Sequence, residues 1–175
     1  AVVLGRVPGG GTGAPERHPR DHGSRLSRLF LVFDGAGREN LRAGRGMGLA
    51  LAAELNGYPG PMHVLELADS LGLSDQQRAK MQDLFAAMRA EAIPLGDKLI
   101  THEAELDRQF AHKTISPASL AASMAAIGTT QAELRETHLK YHLSTVEVLT
   151  PAQVQRYGEL RGYKAGMQRH PQSRH

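Results

Sequence analysis

Apolar positions from residue 81 onward fall in alternating steps of four and three: Met81, Phe85, Met88, Ala92, Leu95, Leu99, then His102 and Leu106. That is the spacing of a coiled-coil seam, and it predicts one long helix from Ser74 to about residue 112. Pro94 lies inside this helix, removing one N–H and crowding the carbonyl of Ala90, and Gly96 follows it. Because the seam keeps its phase across Pro94, a kink is predicted there rather than a break. Lys113-Thr114-Ile115 then makes a turn, Ser116 caps, and Pro117 opens a return helix. Its seam reads Leu120, Met124, Ile127, Gln131, Leu134, His138, Tyr141, Thr145 and Val148, again in fours and threes. The predicted fold is all-α, a long antiparallel helical hairpin with a kinked first helix and short flanking helices.

Those short helices are read from local pattern. Residues 47–56 form an apolar stretch closed by Asn56-Gly57, and Tyr58-Pro59-Gly60-Pro61 is a stiff turn. Residues 63–71 carry Val64, Leu65, Leu67, Ala68 and Leu71 on one side and end at Gly72. A last short helix runs from residue 151 to about 160. Two long helices bury only one stripe each, so the hairpin leaves apolar surface for the short helices and a second copy of the chain to cover; a homodimer is expected.

One local signal occurs twice. Leu73-Ser74-Asp75-Gln76-Gln77 and Leu149-Thr150-Pro151-Ala152-Gln153 share the form Leu-(Ser/Thr)-x-x-Gln. Each is a capping box: the hydroxyl of Ser74 or Thr150 accepts from a backbone N–H one turn in, and Gln77 or Gln153 reaches back to the N–H of the cap residue. Leu149 and Val154 are placed to form a hydrophobic staple, whereas Arg78 takes the staple position in the first copy.

Composition narrows the class. No Trp, four Phe and four Tyr suit a helical bundle better than a sandwich or barrel, and the absence of Cys excludes disulfides and thiol catalysis. The net charge of +3 hides an uneven distribution. Residues 1–45 hold eight Arg against four acids, residues 161–175 hold four basic residues and no acid, and residues 46–160 hold nine basic against fourteen acidic. The folded part is therefore acidic, and the high pI is no argument for a nucleic-acid partner. Residues 1–45, with nine of the nineteen glycines and a single apolar island at 29–33, read as a flexible arm; residues 46–163 read as the helical domain and 164–175 as a tail. Residues 42–53 do not make an export signal, being short in apolar length and lacking a small-x-small cleavage site.

Candidate chemistry centres on histidine. His138 and His142 stand four apart on a helix, which puts both imidazoles on one face at a spacing that chelates a metal. His63 and Glu66, three apart on a short helix, would complete the set if that helix docks beside the open end of the hairpin. The competing structural reading pairs His138 with a carbonyl in the seam and leaves His142 solvated. His102-Glu103-Ala104-Glu105-Leu106 lacks the second histidine of a zinc-peptidase motif, and Gly9-Gly10-Gly11-Thr12-Gly13 lacks the lysine of a phosphate loop. No catalytic constellation stands out, so an enzyme is not expected.

Two such boxes flanking a long helical hairpin resemble the Spy/CpxP family, which is periplasmic, is named for its LTxxQ motif and has heavy-metal-resistance and metal-sensor relatives. The run from Gly46 through Gly57-Tyr58-Pro59-Gly60-Pro61 to His63-Val64-Leu65-Glu66-Leu67-Ala68 is similar to the opening of a bacterial branch of that group. The resemblance implies a periplasmic protein whose export signal is not present in this chain, and a dimer of hairpins shaped as a shallow cradle. It further implies chaperone-like binding of unfolded clients without ATP, for which Met81, Phe85, Met88 and Arg89 are the candidate contacts, with hairpin core as their competing role. The alternative it implies is a heavy-metal sensor or metal-binding resistance protein. That reading uses His63, Glu66, His138 and His142 to hold Zn, Cu, Ni or Co and signals to a membrane-bound partner. A purely structural helical protein is the third reading.

Overall fold

The computed structural model describes residues 35–46 and 48–163. Six helices account for its architecture: α1 (Gly35–Arg42), α2 (Leu51–Glu54), α3 (Pro61–Glu66), α4 (Asp75–Ala111), α5 (Pro117–Val148) and α6 (Pro151–Leu160). Among the described residues there is no strand, and no helix is long and apolar enough to cross a membrane.

The two long helices pack against each other as the predicted antiparallel hairpin. Their register is visible in polar pairs across the seam. As one partner advances along α4 from Glu91 to Lys98 to Gln109, the other retreats along α5 from Lys140 to Glu133 to Ser123. Helix α4 runs through Pro94 without interruption, about 55 Å for its 37 residues. At the closed end Lys113 adopts φ 58, and the N–H groups of Lys113 and Thr114 donate to Phe110 and Gln109, so the helix ends in a Schellman turn with lysine in the left-handed position.

The seam of α4 follows expectation, with Met81, Met88, Ala92 and Leu99 buried. That of α5 slips. Gln131 is exposed and Thr130 is fully buried in its place, followed by Leu134, Thr137 and Tyr141. An α-helix of 3.6 residues per turn drifts from a strict heptad over this length, and Thr130 can enter the core because its hydroxyl donates to its own helix at Ala126 O (2.9 Å). Toward the closed end Leu120 and Met124, expected in the seam, are exposed.

Core packing divides into two clusters. At the open end Val64, Ala68, Leu71, Leu73, Met81, Leu149 and Tyr157 join, with Val154 packed against them beside its staple partner Leu149. Along the shaft Leu41, Ala92, Leu99, Ile127 and Leu134 join. Leu41 belongs to α1 and is 2 % exposed, so the stretch read from sequence as an arm contains, at Gly35–Arg42, a helix packed on the shaft. Helix α1 crosses α4 at Gly96, where a Cβ would meet the carbonyl oxygen of Leu41 at 2.7 Å; only glycine permits this approach. The 29–33 island and the 164–175 tail lie outside the described residues.

Both capping boxes form, with Gln77 N–H on Ser74 Oγ at 3.1 Å and Gln153 N–H on Thr150 Oγ1 at 3.2 Å. They also bind each other. Gln77 Nε2 donates to Gln153 Oε1 (2.8 Å), and Gln153 Nε2 donates back to Gln77 Oε1 (3.1 Å). The spare hydrogen of Gln77 Nε2 goes to Val148 O (3.0 Å), the last carbonyl of α5, and that of Gln153 points at Leu71 O and Gly72 O. The start of α4, the end of α5 and the start of α6 are thus tied at one point. Truncating either glutamine strands groups on the other, so Gln77→Ala and Gln153→Ala are each expected to cost about 1–3 kcal/mol. The double variant should fall short of their sum by at least about 0.5 kcal/mol in urea denaturation. Strict additivity would show that the amide pair carries no coupling.

Candidate functional site

Between the two apolar clusters α5 carries a polar stretch, Thr137, His138, Tyr141, His142 and Thr145, all buried. The segment that covers it is α2, the turn after it, and α3. Glu54 ends α2 and is 7 % exposed. Its Oε1 accepts from the Gly60 N–H (3.1 Å) and faces His63 Nδ1 (3.1 Å), and its Oε2 accepts from the hydroxyl of Tyr157 on α6. Burial alone would raise the Glu54 pKa. The hydrogen bonds of His63 and Tyr157 and the charges of His63 and His142 outweigh it and hold the carboxyl below its ordinary range.

His142 is 6 % exposed, and its Nδ1 lies 2.7 Å from Tyr58 O. A carbonyl only accepts, so Nδ1 carries a proton, and in the neutral ring Nε2 would then hold the lone pair, the tautomer suited to a metal ligand. A Cβ on Gly60 would sit 2.9 Å from His142 Nε2 and 3.2 Å from Glu54 Oε1. Glycine there keeps open the space between an imidazole lone pair and a carboxylate.

His138, one turn earlier, is 2 % exposed, and its Nε2 has no hydrogen-bond partner. Gly46 lies against its ring, with a Cβ position 3.3 Å from Nδ1. Burial first, and the neighbouring His142 second, push the His138 pKa below its ordinary value, so the ring is neutral at neutral pH. Glu54, His63, His138 and His142 border one cavity of about 380 Å³, which Met88 reaches from α4.

Of the expected set, His63, His138 and His142 line one cavity, Glu66 is exposed to solvent, and the carboxylate that borders the cavity is Glu54. A lone acid at the end of the apolar stretch 47–55 was the signal for it. The structural alternative for the histidine pair is also reversed, since His142 bonds the carbonyl and His138 lacks a partner. Of the client-contact candidates, Met81 and Met88 are buried, Phe85 is half-buried, and Arg89 lies over the Phe85 ring at 5.8 Å and donates to Ala43 O. Ser74, Gln77, Thr150 and Gln153 form the capping clasp, and Leu73 and Leu149 are buried in the open-end cluster.

Does this donor set fit a metal ion? An orphaned buried imidazole nitrogen, a second with a free lone pair, and an open cradle beside a carboxylate match the needs of a transition metal. Among the described residues, no three of His, Cys, Asp and Glu already converge on one point. The donors fit in chemistry, and Glu54, His63 and His142 are engaged in hydrogen bonds of their own, whereas His138 Nε2 is not.

A family model described as heavy-metal resistance matches residues 43–156. The chain belongs to the heavy-metal resistance family. That family lies within the Spy/CpxP-like helical clan, and the matched span includes Glu54, His63, His138, His142 and both capping boxes. No curated protein and no solved structure matches the chain. Membership gives the cluster a chemical context that the helical hairpin alone lacks.

Two outcomes test this geometry. Gly60→Ala keeps an ordinary backbone conformation (φ −87, ψ 151) but drives a methyl group into the His142 ring, so it should destabilise by about 1–3 kcal/mol and displace the ring's NMR resonances. Unchanged resonances would show that the cradle is not where these distances put it. For pH, Glu54 and His138 both titrate below their ordinary values of 4.5 and 6.5. The unfolded chain therefore binds these protons first, and stability present at neutral pH is lost on acidification, beginning with His138 below about pH 6.5. The unfolding midpoint should fall from pH 7 to 5, and more shallowly in His138→Leu; equal slopes would remove His138 from the account.

Proposed function

We propose that this protein binds a divalent transition metal, of the class Zn, Cu, Ni or Co, in the cavity bordered by His138, His142 and Glu54, and that it serves metal resistance or sensing. The observation that carries this reading is the buried His138 Nε2 without a partner, one helical turn from a histidine whose own Nε2 is free. Burying an imidazole nitrogen unpaired is unfavourable, and a cation supplies the missing partner. Membership in the heavy-metal resistance family supports it independently.

The residues have distinct roles in this reading. His138 and His142 offer Nε2 lone pairs, Tyr58 O fixes the His142 tautomer, and Glu54 offers charge. Met88 adds a thioether at the cavity wall. The bound ion would bridge α5 to the end of α2, and so stabilise the packing of the short segments on the hairpin. Client binding has less support, because Met81 and Met88 are enclosed in the folded chain.

Thermal unfolding with each of the four metals, in wild type and in His138→Ala/His142→Ala, provides the test. At a hundredfold excess over the dissociation constant, a metal should stabilise the wild type by about 2.7 kcal/mol and the double variant by almost nothing. A wild-type midpoint indifferent to all four metals would end the proposal.

A further inference from the structure

Residues 46–160 are acidic, with nine basic residues against fourteen acids, and an arginine stands at each edge of that stretch, Arg45 before it and Arg161 after it. The fold brings both edges to one cavity. Arg45 follows α1, Arg161 caps the C-terminus of α6, and both line the space of about 380 Å³ that the three histidines border. Glu54 is the one acid in that lining, and its charge is already met by the Gly60 N–H, His63 and Tyr157.

Neither arginine has a carboxylate partner. Among the described residues, Arg45 Nη1 donates to Asn40 Oδ1 (3.2 Å) and Arg161 Nε to the Tyr163 hydroxyl (3.3 Å), and neither side chain joins an ion pair. Arg78, Arg108 and Arg156, by contrast, each pair with an acid. A guanidinium carries five N–H donors in a fixed fork, so Arg45 and Arg161 keep most of theirs unspent.

A second observation comes from a buried side chain in the same lining. His138 is 2 % exposed, and its Nε2 lacks a partner. Tyr58 O fixes a proton on Nδ1 of His142, but no hydrogen bond among the described residues fixes that of His138, so its Nε2 is free to carry the proton and donate. A buried imidazole and two guanidiniums lining one cavity are then short of the same thing, an acceptor oxygen bearing negative charge.

We infer that this cavity binds a small oxygen anion, a phosphate or a short dicarboxylate, with Arg45 and Arg161 holding it by their guanidinium forks and His138 Nε2–H donating to it from the buried side. The volume is at the low end for ligand pockets, which suits a small free anion. Arginine forks take carboxylate and phosphate oxygens in pairs, and so favour such anions over chloride. This inference goes beyond metal binding and does not rest on it. At His138 the two ligands make opposite demands, the lone pair for a cation and the proton for an anion, so that nitrogen serves one of them at a time.

Calorimetric titration of the metal-free protein in Tris chloride, with inorganic phosphate and with succinate as probes, is the test. At least one should bind, and which one does tells a tetrahedral oxyanion from a carboxylate. Arg45→Gln and Arg161→Gln should each weaken binding about tenfold, and both side chains are exposed, so neither substitution disturbs the core. Arg156→Gln is the control: it removes the same charge from α6 at a residue that pairs with Glu159 outside the cavity, and it should bind as wild type does. Binding should also displace the NMR resonances of the His138 ring. If neither anion binds to wild type, the inference is overturned and the metal reading still stands. A loss in Arg156→Gln equal to that in Arg45→Gln reduces the effect to general charge attraction and overturns it as well. So does binding that leaves the His138 resonances in place, because the anion then sits elsewhere.

Discussion

Two glutamine amides, Gln77 and Gln153, hold the open end of this molecule together. Each is first a local device, accepting from the cap residue of its own helix, as a capping box requires. Because both oxygens and both nitrogens also face each other, the two local caps become one tertiary joint. The joint fixes more than two helix starts. Through Val148 O it fixes where α5 ends relative to where α4 begins, the same axial register that the pairs Glu91–Lys140 and Lys98–Glu133 hold along the shaft. That register sets His138 and His142 beside Met88 and under the turn at Tyr58 and Gly60. It also carries Tyr157 to Glu54.

The register determines a core of two apolar clusters with a polar layer between them. A hairpin selected for stability alone would fill positions 138 and 142 with leucine, since burying two imidazoles and a carboxylate costs more than burying aliphatic side chains. The polar groups here are accommodated unevenly. Thr130 and Thr145 bond their own helix, Glu54 has three donors, and His142 has a carbonyl. His138 Nε2 stands out as the atom left over. Incomplete satisfaction in an otherwise satisfied layer is a local exception that calls for a partner.

Much of this could be read in the chain. The cap residues, the heptad steps of α4, the turn at 113–115 and the histidine spacing are all short-range signals, encoded by residues within one or two helical turns of each other. What stayed hidden is what depends on long-range placement. Gln77 and Gln153 meet across 76 positions, and nothing in either box announces the other as its partner. Glu54 reads as an interruption of an apolar stretch, while Glu66 has the tidier spacing to His63; only the docking of α2 decides between them. The slip from Gln131 to Thr130 follows from helical drift over 32 residues, small per turn and decisive in sum. The order of α1 depends on the absent side chain at Gly96, which in sequence looks like a helix-weakening residue beside a proline.

A single carboxylate therefore stands between two spaces. On one side are the imidazoles of His63, His138 and His142, on the other a space of about 800 Å³ between α2, the end of α5 and α6. Glu54 belongs to both linings, so the packing of α2 against α5 and that of α6 against α2 are joined at one side chain, while the clasp and the shaft cluster hold the long helices in register.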